Sequence, residues 1–107
     1  MEKTNTILSQ RENLSVEQCH CCDNIILHYQ NLLLKFSPKS FKEFTNTLLD
    51  VNFNKRSISF GNGTEKMIIN TQLKEVQMCF TKTEYHTICH ALKEASVMLE
   101  VNDILNN

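Results

Sequence analysis

The sequence lacks the features of several common functional classes. No Lys/Arg run is longer than two residues and the net charge is −1, so no basic surface for nucleic acid or anionic lipid is visible. No stretch approaches the ~18 apolar residues of a membrane span, and the N-terminus has no apolar run typical of a signal peptide. With only two glycines there is no glycine-rich phosphate loop, and no catalytic motif surrounds any Ser, Cys or acid. We therefore expect a cytoplasmic, non-enzymatic protein without nucleic-acid or membrane partners.

The composition is that of an ordinary globular chain. With 107 residues, 41% of them apolar and 21% charged, it is predicted to form one domain, residues 1–107, with a modest core. Residues 1–11 are polar and lack periodicity, which predicts a loose arm. Residues 50–55 are predicted to be a linker between two halves of the domain.

Two similar stretches, residues 32–48 and 76–92, are the basis for the predicted architecture. Each contains a strand that ends in Phe, a hydroxyl residue that caps a helix, and an apolar stripe along that helix. Sliding residues 13–51 onto residues 57–95 keeps the apolar positions in one frame. The pattern predicts an internal repeat, although the same physics would also give two unrelated strand–helix units a similar pattern.

Short connections between the strands decide the fold class. The first three strands of each half are too closely spaced for parallel crossovers, so they must pair antiparallel. The prediction is an α+β fold of two βββα repeats, with an antiparallel sheet and two helices packed on one face.

Three of the five cysteines crowd into one stretch, Cys19-His20-Cys21-Cys22. Cys19 and Cys22 fall at a predicted hairpin tip, which would aim both sulfurs at one point, and zinc favours thiolates. A tetrahedral site needs further ligands, and the candidates are His20, Cys21, His28 or a second copy of the chain. The same pair of thiols could instead act as a thiol switch, or be turn residues without a metal.

The last predicted helix has an unusually wide apolar surface. Beyond Ala95 the apolar residues no longer keep to one stripe, and the helix is longer than a domain of this size needs. This end is predicted to pack on the other half or on a second copy. The candidate interface residues are Met98, Val101, Ile104 and Leu105. His86 and His90, on the same helix, point away from its core stripe and are predicted to be exposed rather than to bind metal.

A resemblance covers roughly residues 19–49. The motif C-x-x-C, a strand ending aromatic-x-Asn, a strand ending Phe-Ser and a helix with F-x-x-F resemble a family of small uncharacterised cytosolic proteins of Bacteroidota. The matching residues are Cys19, Cys22, Tyr29, Asn31, Phe36, Phe41 and Phe44, with Glu94 and Ala95 in the final helix. Members often carry His four residues after the second Cys, where this chain has Ile26. The resemblance implies a compartment and an architecture but no activity.

These observations leave two function hypotheses. The first is a non-enzymatic binding module that self-associates or binds a protein partner through the outer sheet face or the last helix. The alternative is a metal-binding (zinc) or thiol-switch protein that acts through Cys19 and Cys22.

Overall fold

The computed structural model describes residues 5–105, which contain seven strands and three helices. The strands are β1 (Thr6–Arg11), β2 (Leu14–Gln18), β3 (Ile25–Tyr29), β4 (Leu32–Phe36), β5 (Ser57–Ser59), β6 (Glu65–Asn70) and β7 (Gln77–Phe80). The helices are α1 (Pro38–Leu49), α2 (Phe53–Arg56) and α3 (Lys82–Leu105). All strand pairs are antiparallel, and they form two sheets of order β1-β2-β3-β4 and β5-β6-β7.

The first sheet presents one apolar face to the core. Val16 on β2 pairs with Leu27 on β3, which pairs with Leu34 on β4. Successive side chains of a strand point to opposite faces, so the alternating apolar residues gather on one side. His28, between Leu27 and Tyr29, therefore lies on the opposite, exposed face.

The predicted loose arm is wrong over residues 6–11, which form the edge strand β1. A register shift between Ile7 and Ser9 in the pairing with β2 turns both Leu8 and Ser9 inward. Such a bulge removes the alternation by which a strand is recognised in a sequence. Residues 1–4 of the predicted arm lie outside the described residues.

Helix α1 begins where the sequence predicts. The Ser37 side chain caps it by accepting a hydrogen bond from the Ser40 backbone N–H, and Pro38 occupies the first turn, where no backbone donor is needed. The predicted linker at residues 50–55 is in part a helix, because α2 begins at Phe53. Phe53 is buried and packs on Tyr85, with ring centroids 6.1 Å apart.

The second sheet is smaller and has a tight turn between β5 and β6. Gly63 adopts φ +83°, which a residue with a Cβ rarely does, and its N–H donates to the Phe60 carbonyl. Asn62 keeps a negative φ and instead accepts a hydrogen bond from the Thr64 N–H. The two sheets meet where Tyr29 contacts Phe80 edge-to-face, with ring centroids 5.7 Å apart.

Helix α3 holds the two sheets together. Thr81, the predicted hydroxyl cap, forms a capping box with Glu84, in which each side chain accepts a hydrogen bond from the other residue's backbone N–H. The helix packs on β1 and β2 of the first sheet, on β6 and β7 of the second, and on α1. Ile88 and Leu92 are fully buried, and the Tyr85 hydroxyl donates to the carbonyls of Leu48 and Val51, each 2.8 Å away.

The α+β class and the antiparallel pairing are confirmed, with corrections in detail. The strands form two sheets, whereas one was predicted, because the β4–α1–α2 segment separates the pairing of the two halves. The internal repeat is not confirmed: the first half has the additional strand β1, and α3 has 24 residues where α1 has 12. None of the helices in residues 5–105 combines the length and apolarity needed to cross a membrane.

Candidate metal site in the β2–β3 hairpin

The loop between β2 and β3, residues 19–24, is a closed turn. The Asp23 N–H donates to the Cys19 carbonyl at 3.0 Å, and the Cys19 N–H donates to the Asn24 carbonyl at 2.9 Å. Asp23 adopts φ 59°, a left-handed conformation that Asp tolerates better than most residues. The chain thus makes a single helical turn and then re-enters the sheet.

This turn brings three sulfurs together. The Sγ atoms of Cys19, Cys21 and Cys22 all lie within 4.8 Å of one another, and those of Cys19 and Cys21 are 3.0 Å apart. Sulfurs bound to one zinc ion at about 2.3 Å in tetrahedral geometry lie about 3.8 Å apart. The observed cluster is therefore of the size that one metal ion needs, after a small opening of the Cys19–Cys21 pair.

Cys19 and Cys21 differ in their readiness to ionise. Hydrogen bonds from the Cys21 thiol and then the Cys22 thiol, with further ones from the backbone N–H groups of both residues, lower the pKa of Cys19 from 9.0 to about 7. The bond donated to Cys19 in turn raises the pKa of Cys21 to about 11. Near neutral pH Cys19 is therefore partly ionised whereas Cys21 keeps its proton, and a thiolate is the form that binds metals and attacks disulfides.

The two histidine candidates do not join the cluster. The His20 Nε2 atom lies 3.0 Å from the Thr6 hydroxyl oxygen, on the β1 side of the loop. His28 is on the exposed face of β3, opposite Leu33 of β4 and Ser15 of β2. Cys21, by contrast, is a full member of the cluster although it is outside the C-x-x-C pair. The sequence signal for Cys21 was its position next to Cys22, which made it one of the candidate further ligands.

The remaining cysteines are separate. Cys79 is exposed on β7, and Cys89 is partly buried on α3, where burial raises its pKa. His86 and His90 are exposed, as predicted. Within the described part of the chain, no second group of three His, Cys, Asp or Glu side chains is arranged to hold one ion.

The C-terminal part of α3 lies beside the cysteine hairpin. Asn102 lines a cavity of about 250 Å³ together with Cys19, His20 and Asp23. A neighbouring cavity of about 500 Å³ lies between Gln18 and Asp23 on one side and α3 on the other, where it is lined by Leu99, Glu100, Asn102 and Asp103. One wall of the cysteine loop is therefore formed by the helix that ends the described chain.

The predicted interface residues are on this same helix end. Val101, Ile104 and Leu105 are 40, 73 and 75% exposed, whereas Met98 is partly buried against the core. Val97, 58% exposed, extends the exposed set by one turn. Val97, Val101, Ile104 and Leu105 have the spacing of one helix face, which we name the outer α3 stripe.

Comparison with known proteins yields one match. The family of unknown function DUF6686 matches the chain over residues 1–107. No curated protein and no solved structure has significant similarity to it.

Proposed function

The chain belongs to the DUF6686 family, and we propose that it is a small non-enzymatic module that binds a thiophilic metal ion through Cys19, Cys21 and Cys22. The observation that supports this proposal is the convergence of three sulfurs within 4.8 Å. Thiolates are soft ligands that select ions such as Zn²⁺ and Cu⁺ over Mg²⁺ and Ca²⁺.

The charge state of the cluster supports the same function. Cys19, with its pKa of about 7, is partly ionised at neutral pH and can bind first, and an arriving metal ion can displace the remaining thiol protons of the cluster. Five free cysteines are typical of a reducing compartment, which supports our proposal that the protein acts in the cytoplasm.

Metal analysis of the reduced protein tests the proposal. After anaerobic incubation with Zn²⁺ or Cu⁺ and removal of the excess, we expect about one ion per chain in the native protein. The Cys19→Ser and Cys22→Ser variants should lose it. Cys79→Ser is the matched control, because it removes an exposed thiol outside the cluster and should retain the ion. If the native protein retains neither ion after incubation with Zn²⁺ and, separately, with Cu⁺, the proposal is refuted.

A thiol switch is the second use of the same residues. The Cys19–Cys21 sulfur separation of 3.0 Å favours it, because little movement is needed to reach the about 2.05 Å of a disulfide. The oxidant would be a small-molecule disulfide: the Cys19 thiolate attacks it and releases one thiol. The Cys21 thiol then loses its proton, attacks the Cys19 sulfur of the mixed disulfide and releases the second small-molecule thiol, which leaves a Cys19–Cys21 disulfide. Mass spectrometry after treatment with oxidised glutathione should show the loss of two hydrogens, which Cys19→Ser should prevent.

Self-association through the outer α3 stripe is a separate candidate. The stripe is apolar and faces away from the core, and it runs over the nine residues 97–105, or about 12 Å of helix. So short a surface buries less than the about 1,600 Å² of a standard interface, so the association would be weak. Light scattering at rising protein concentration tests it: the apparent mass of the native protein should increase, and Ile104→Ser should reduce that increase. Leu73→Ser, which changes an exposed leucine in the β6–β7 loop, is the control. A monomer at every concentration would exclude this candidate.

A further inference from the structure

The identity of the ion can be inferred from the number of ligands. Cys19, Cys21 and Cys22 supply three sulfurs, and no imidazole or carboxylate of residues 5–105 joins them within the same distance. The nearest imidazole in sequence, His20, is beside Thr6 instead. Among the His, Cys, Asp and Glu side chains of residues 5–105, those whose ligand atoms lie within 4.8 Å of one another here are therefore three soft sulfur donors.

This donor set matches monovalent copper better than zinc. Structural zinc is almost always held by four protein ligands in a closed tetrahedral site, and a zinc site with three ligands keeps water in the fourth position. Cu⁺ also has a filled d shell, but it is softer and is satisfied by three sulfurs in a plane. Soft thiolates are the ligands that select it.

The hairpin also does not need a metal ion to close. Its ends are already joined by the hydrogen bonds of Cys19 with Asp23 and Asn24. A structural metal supplies folding energy to a segment that is otherwise open, as in zinc fingers. Here the two outer sulfurs, those of Cys21 and Cys22, are exposed, so a thiol of another molecule can reach a bound ion.

We propose that the Cys19–Cys21–Cys22 cluster binds one Cu⁺ ion per chain through three sulfurs, in an exposed site from which the ion can be passed to another thiol. This inference depends on the proposed metal-binding function and specifies the ion, the coordination and the mode of exchange.

Competition under anaerobic conditions tests the proposal on the full chain. The reduced protein is titrated with Cu⁺ in the presence of bathocuproine disulfonate, and separately with Zn²⁺ in the presence of a chromophoric chelator. We expect one Cu⁺ per chain, preferred over Zn²⁺, and three sulfur neighbours around copper in X-ray absorption. Each of the three Cys→Ser variants should weaken Cu⁺ binding by more than about 100-fold, since changes outside the ligand set alone cost about 10–100-fold. Cys79→Ser and His20→Ala should bind as the native protein does.

The outcomes distinguish a failure of the copper assignment from a failure of the proposed metal-binding function. Zn²⁺ preferred over Cu⁺, or a nitrogen neighbour lost in His20→Ala, would overturn the copper assignment and leave metal binding intact. Half an ion per chain would show that two copies share the site, which also overturns it. Binding of neither ion would refute both. Exchange is tested by adding glutathione to the copper-loaded protein: transfer within minutes supports the open site, and full retention overturns that part.

Discussion

Replacing Tyr85 by Phe tests how the two halves of the domain are joined. The Tyr85 side chain is 6% exposed, and its hydroxyl donates to Leu48 and Val51, just where α1 ends. The Leu48 carbonyl also accepts from the Val51 N–H at 3.3 Å, so the substitution chiefly deprives the Val51 carbonyl. One net hydrogen bond is worth about 0.5–1.5 kcal/mol, and an unpaired buried acceptor costs about 1–3 kcal/mol. We expect Tyr85→Phe to lower the free energy of unfolding by about 1–2 kcal/mol at pH 7.

The same variant should behave differently in alkali. Burial first, with the neighbouring Cys89 thiol second, raises the pKa of Tyr85 from 10.0 to about 12. A tyrosine whose pKa is raised by folding holds its proton more tightly in the native state. Stability is therefore unaffected below pH 10 and is lost as the pH rises from about 10 to about 12. At about pH 11 this loss is about 1.4 kcal/mol, and the variant escapes it because phenylalanine has no proton to lose. The deficit of the variant should therefore nearly vanish there.

Urea unfolding followed by circular dichroism measures both effects, and Tyr29→Phe is the control. The Tyr29 hydroxyl is buried close to the Glu84 carboxylate but makes no hydrogen bond of good geometry among residues 5–105. Burial and the Glu84 carboxylate raise the pKa of Tyr29 to about 12 as well. Tyr29→Phe should thus cost far less than Tyr85→Phe at pH 7 but show a similar alkaline effect. Equal costs for the two variants at pH 7, or a Tyr85→Phe deficit that stays constant up to about pH 11, would refute this reasoning.

Three further predictions concern stability. Ile88→Ala should lower the free energy of unfolding by about 2–5 kcal/mol in urea titrations, because Ile88 is fully buried where α3 packs on the rest of the core. Hydrogen bonds, the first from Ser9, hold the pKa of Glu94 below 4.5. Glu94→Gln should therefore lower the melting temperature at neutral pH, and the difference should fade as acid protonates Glu94 in the native protein. Neither glycine has an atom within 4 Å of a new Cβ, so the two alanine variants differ only in backbone conformation. Gly63→Ala should lower the free energy of unfolding by about 1–2 kcal/mol because of the positive φ, whereas Gly61→Ala should be neutral or slightly stabilising.

Local signals made much of the fold predictable. The largely apolar runs Ile25–Tyr29 and Leu32–Phe36, separated by a two-residue turn, predict two strands, and β3 and β4 have these bounds; α1 begins at its Ser-Pro cap. The strand β1 was missed because its bulge at Ile7 and Ser9 interrupts that alternation. The division into two sheets was also missed. It arises because the β4–α1–α2 segment comes between the two sets of strands, and the pattern within a single strand does not report which other strands it pairs with.

The candidate site was also predictable only in part. Cys19 and Cys22 follow from their spacing, and Cys21 was one of several candidates for a further ligand, but only the geometry of the turn shows that Cys21 joins them and that His20 and His28 do not. His28 could have been excluded from the sequence alone. It alternates with Leu27, which must face the core, so it has to point to the other side of the sheet.

The bulge in β1 bears on how the protein behaves at high concentration. A regular, flat edge strand is a template on which another molecule can add its own strand, and sheets grow into aggregates in this way. Here the bulge distorts that edge, Arg11 places a charge on it, and the bond of Ser9 to Glu94 fastens it to α3. The opposite edge, β4, pairs regularly and carries the half-exposed Leu33. If destabilised protein forms fibrils, their growth should begin at β4, and a lysine in place of Leu33 should delay it.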